Sequence, residues 1–103
     1  MSELSTKRKL FTKCLCKLLQ VMLEAGYEPM IGRDGEKHMD NSLHYIGLAK
    51  DIDLTKDGVL LDKTEDHEVF GKFWKTLDPD CRWGGDFKSP DGRHYSVTFG
   101  GRA

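Results

Sequence analysis

The sequence predicts an α+β domain, and three observations carry that expectation. An amphipathic helical repeat opens the chain, a hairpin pattern around an Asp-Gly pair fills its middle, and a second helical repeat separates that hairpin from a terminal strand pattern. Helices that bracket antiparallel strands build a small antiparallel sheet with flanking helices. With 103 residues and 11.7 kDa there is material for one core, so residues 1–103 are expected to form a single domain.

From Ser5 to Ala25, Phe11, Cys14, Leu15, Leu18, Leu19 and Met22 recur at steps of three and four, and Gly26 stands where a helix C-cap belongs. An extended piece follows at Tyr27–Ile31, then the polar loop "GRDGEKHMDN". Leu48 to Leu54 alternates as a strand, "TKDG" reads as a tight turn, and "VLLD" as the antiparallel partner. Thr64 is the expected N-cap of a second helix that buries Val69, Phe70, Phe73, Trp74 and Leu77 and stops at Asp78-Pro79. The remainder holds a glycine pair, a Pro-Asp-Gly turn and a final strand, "HYSVTF".

Sixteen Lys and Arg against seventeen Asp and Glu give no electrostatic case for nucleic acid. Lys7, Arg8, Lys9, Lys13 and Lys17 crowd the first helix and read as a solvated face. No apolar run approaches the roughly 20 residues of a membrane span, so stable insertion is not expected. Three cysteines form no disulfide framework; Cys14 and Cys16 read as core filler, and no signal peptide is apparent, which points to synthesis in a reducing cytoplasm.

The candidate chemistry begins in "SLHYIGLAKDIDL", where an aspartate interrupts a strand pattern seven residues after a histidine. Alternation puts Leu48, Ile52 and Leu54 on one face and Gly47, Ala49, Asp51 and Asp53 on the other, an acidic floor over which His44 can fold. A third partner is sought in "DGRH", where Asp91 stands three residues before His94. Two imidazoles and a carboxylate are a donor set for catalytic zinc, which leaves one position open for water. Hydrolysis then needs a second carboxylate to move the proton, and Asp91 is the candidate, with Asp86 a weaker one for orienting a ligand. Spacing alone leaves His38 and His67 as alternative ligands and does not separate Asp51 from Asp53.

Ser42, His44, Gly47, Ala49 and Asp51 match the pattern S-x-H-x-x-G-x-A-x-D, and "RWGGDF" followed by "DGRH" matches a second signature in the right order. In these motifs the chain resembles the VanY-like zinc peptidase family, which includes the zinc D-Ala-D-Ala carboxypeptidases, the vancomycin-resistance dipeptidases and the phage L-alanyl-D-glutamate endopeptidases (endolysins), from about Gly26 onward. The resemblance implies a hedgehog/D,D-peptidase-like fold and a single zinc ion held by His44, Asp51 and His94, with Asp51 preferred over Asp53. It implies Asp91 as general base and acid, Ser42 facing the substrate, and Gly47 and Ala49 keeping the floor open. The family arginine sits in a longer segment; here Arg33 is its natural heir, as an oxyanion donor.

The implied activity is that of a phage endolysin, a peptidase cutting the stem peptides of peptidoglycan, at L-alanyl-D-glutamate in preference to a D,D-carboxypeptidase reaction. A non-catalytic zinc module is the alternative from another class. A monomer is expected. The family also implies accumulation in a host cytoplasm and release to the periplasm and wall with a partner such as a holin.

Overall fold

The computed structural model describes residues 2–32 and 43–103. Helix α1 spans Glu3–Glu24 and begins earlier than its apolar repeat, because the Ser2 hydroxyl accepts from the Ser5 amide at 3.1 Å and caps the first turn. Its buried stripe is Phe11, Cys14, Leu18 and Met22. Cys16 is exposed and is not core filler: two positions beyond Cys14 lies on the other side of a 3.6-residue helix. Gly26 ends the helix at φ +89°.

Strand β1 (Glu28–Ile31) runs antiparallel to β2 (Ala49–Lys56), with Ile31 opposite Ile52. A two-residue turn of Asp57 and Gly58, both at positive φ, joins β2 to β3 (Val59–Leu61), as the Asp-Gly signal predicts. The second helix has two parts: a 3-10 turn over Thr64–His67 leads into α2 (Glu68–Leu77). The expected cap at Thr64 does not form. Lys63 takes the cap position, its amide donates to Asp66 at 3.0 Å, and the Thr64 hydroxyl serves another loop. Val69 is 72% exposed, contrary to expectation, because the buried face of α2 is set by Phe70, Gly71 and Trp74.

Strand β4 (Cys81–Trp83) was not legible in the sequence, since its apolar-polar-apolar triplet between Pro-Asp and Gly-Gly is too short for a period to be read. It pairs with β5 (His94–Val97), which in turn pairs with β2. Among the described residues the sheet has five antiparallel strands in the order β1-β2-β5-β4, with β3 on β2. The helices cover the face that carries Tyr95. At its centre Trp74 is buried edge-on between Phe11 and Tyr95, ring centroids 5.8 and 5.7 Å away, and its indole donates to the Ser96 carbonyl at 3.0 Å. Leu18, Met22, Leu48, Ile52, Leu54 and Val97 complete the inaccessible core. Among the described residues no helix is long and apolar enough to cross a membrane.

Candidate metal centre

The β2–β5 register decides the site. Asp51 stands directly opposite His94, so their side chains leave the same face, opposite to that of Tyr95. His44 arrives from a 3-10 turn over Leu43–Ile46, which closes with Leu48 donating to the Leu43 carbonyl at 3.0 Å. Gly47 ends that turn at φ +77°, a conformation that disfavours a β-carbon. Its role is therefore the turn and not an open floor, and Ala49 is fully buried beneath the site.

The three side chains converge. His44 Nε2 is 3.2 Å from His94 Nδ1 and 3.6 Å from Asp51 Oδ1, and His94 Nδ1 is 3.9 Å from the same oxygen. Donors about 2.0–2.2 Å from one tetrahedral ion stand about 3.3–3.6 Å apart, so this triangle needs only small adjustments to close on a single metal. Both imidazoles are 8% exposed. Asp51 Oδ1 is buried and has no hydrogen-bond partner among the described residues. A buried carboxylate oxygen left without a partner is costly, and a cation at the centre of the triangle would satisfy it. The group His44, Asp51 and His94 could thus hold a metal ion.

Asp53 does not join it. Its Oδ1 accepts from Arg93 Nε at 2.6 Å, which settles geometrically what strand alternation left open. Burial alone would lower the Arg93 pKa, but the hydrogen bond and charge of Asp53, with the charges of Asp51 and Asp91, raise it. His67 is not in the group either. It is fully buried behind the sheet, with Nδ1 2.9 Å from the Tyr95 hydroxyl, and burial lowers its pKa. Asp86 pairs with Lys75 at 2.7 Å and orients no ligand imidazole. Asp91 is exposed in the turn before β5; its carbonyl accepts from the His94 amide at 3.1 Å, and its carboxylate accepts from the Arg93 amide at 3.3 Å. Arg33, Ser42 and His38 lie outside the described residues.

Two contributors escaped sequence reasoning. Gly32 donates to the Asp51 carbonyl at 2.6 Å, and a β-carbon there would stand 2.9 Å from that oxygen, so glycine lets β1 lie against the ligand strand. Arg93 brings a cation to the site face; its signal was its place inside "DGRH".

The fold has a solved counterpart. The crystal structure of the Serratia marcescens L-Ala D-Glu endopeptidase ChiX superposes with a TM-score of 0.64 at 18% identity, covering 92% of this chain and 86% of that one. The chain shares that enzyme's fold. No family model matches the chain, and no curated protein does. At this identity the likeness speaks for architecture: an α+β fold with, among the described residues, two α-helices and a five-stranded antiparallel sheet.

Proposed function

We propose that this protein is a zinc-dependent peptidoglycan peptidase of the phage endolysin type, which hydrolyses the L-alanyl-D-glutamate bond of the stem peptide. The observation that carries the reading is the convergence of His44 Nε2, His94 Nδ1 and Asp51 Oδ1, with Asp91 in the same turn as His94, in a fold shared with an L-Ala D-Glu endopeptidase. His44, Asp51 and His94 would hold the ion. Zinc, when bound, supplies Lewis acidity that brings water's pKa to about 7 and polarises a carbonyl.

The remaining work falls to the chain. Asp91, exposed and ahead of a ligand on the same turn, takes the proton of the attacking water and delivers it to the leaving amine. Arg33 is assigned to the developing oxyanion and Ser42 to the substrate, on the motif resemblance alone. Action on the wall would follow release from the host cytoplasm.

The test is lysis of purified peptidoglycan followed by mass spectrometry of the products. Native protein is expected to release L-alanine-terminated fragments, to stop with a chelator and to recover with zinc. Asp91→Ala should retain zinc and lose about 100- to 10,000-fold in rate, the usual worth of a general acid or base. Undiminished lysis by zinc-loaded Asp91→Ala would remove Asp91 from its role. Free D-alanine as the main product would reassign the enzyme as a D,D-carboxypeptidase.

A further inference from the structure

The turn that carries Asp91 and His94 is held at its middle residue by side chains from two other elements. The Gly92 amide donates to the Thr64 hydroxyl at 3.2 Å, and the Gly92 carbonyl accepts from the Trp83 indole N–H at 2.8 Å. Both backbone groups of one buried residue are thus satisfied from outside the turn. The fit is close on each side. A β-carbon on Gly92 would lie 2.6 Å from the Thr64 Cα, and β-carbons on Gly71 of α2 or on Gly85 would overlap the Trp83 ring. The indole therefore sits in a slot between two glycines and cannot tilt away from Gly92 without displacing backbone.

Gly84 extends the device. Its carbonyl accepts from the Asp91 amide at 2.9 Å, and a β-carbon on it would overlap the Asp91 carbonyl. The "WGG" triplet is thus a tool with one part to a residue: the tryptophan reaches Gly92, the first glycine lets the turn approach, and the second glycine closes the slot. A turn fixed only at its ends would let Asp91 and His94 shift by the ångström that separates a working constellation from an idle one.

We propose that Trp83 and Thr64 are positioning residues, which act through Gly92 to fix His94 as a ligand and Asp91 as the proton carrier. This rests on the metal-peptidase reading, and its test is built so that the two can fail separately. Thr64→Val keeps the shape and removes the acceptor, Thr64→Ser keeps the hydroxyl, and Trp83→Phe removes the indole donor. Outer partners of metal sites are typically worth 10- to 100-fold in metal affinity or activity.

Thr64→Val and Trp83→Phe are expected to weaken zinc binding in a competition titration by about 10-fold or more and to lower kcat with KM within about twofold, while Thr64→Ser restores both. A part that served stability alone would lower the melting temperature and leave the zinc affinity and kcat of the folded protein unchanged; that result, from Thr64→Val, overturns the proposal even if Trp83→Phe fails to fold. Hydrogen exchange at the Gly92 amide, read without metal or substrate, should accelerate at least 10-fold in Thr64→Val. Unchanged exchange sinks the clamp, whereas fast exchange in a protein whose wild type neither binds zinc nor cuts peptidoglycan keeps the clamp and sinks the peptidase.

Discussion

At the scale of single residues, the two aspartates of β2 separate most sharply. Asp51 and Asp53 are two apart on one strand face and look alike to strand alternation, yet Asp51 meets two histidines and Asp53 meets Arg93. Asp51→Asn is therefore expected to weaken zinc binding by 100-fold or more, and Asp53→Asn by far less; a competition titration with a chromogenic chelator ranks them. His67 gives a second prediction. Burial lowers its pKa below 6.5, so under acid the unfolded chain takes up a proton that the folded one refuses. Stability should fall as pH drops through 6.5, by at most about 1.4 kcal/mol per pH unit from this one group. His67→Gln should flatten that part of the profile in urea melts at pH 5 to 7, and an unaltered slope would show that other groups carry it.

At the scale of elements, the packing of α2 on β4 hangs on a glycine in a helix interior. Gly71 costs the helix about 1 kcal/mol relative to alanine, and helix propensity alone would make Gly71→Ala stabilising. The Trp83 ring occupies the place of the missing β-carbon, so the substitution is expected to destabilise by about 1–3 kcal/mol in denaturant unfolding. The hairpin of β2 and β3 and the repeats of α1 and α2 were legible because periodicity and turn chemistry are local. Strand β4 and the 3-10 character of Thr64–His67 were not, because a three-residue strand exists only through its partner and a hydroxyl drawn to Gly92 no longer caps its own helix.

At the scale of the whole molecule, the site joins pieces from both halves of the chain: His44 and Asp51 come from the 3-10 turn and β2, His94 from β5. Metal bound there ties together segments that unfolding would scatter, so it should stabilise the fold by mass action. Zinc at 100 times its Kd is expected to add about 2.7 kcal/mol, read as a rise in Tm that a chelator reverses and Asp51→Asn abolishes. No rise in the wild type would count against a metal centre on these three residues.

The sequence by itself determined the fold class, the two amphipathic helices, the Asp-Gly hairpin and the residue types from which a metal site is made. These follow from spacing, which a linear chain displays in full. Only the tertiary structure decided that Asp53 pairs with Arg93, that His67 belongs to the core and Asp86 to the surface, and that Trp83 and Thr64 hold the turn between Asp91 and His94. Such facts depend on strand register and on side chains meeting across long separations, and no local pattern encodes a distance between residues that only folding brings together.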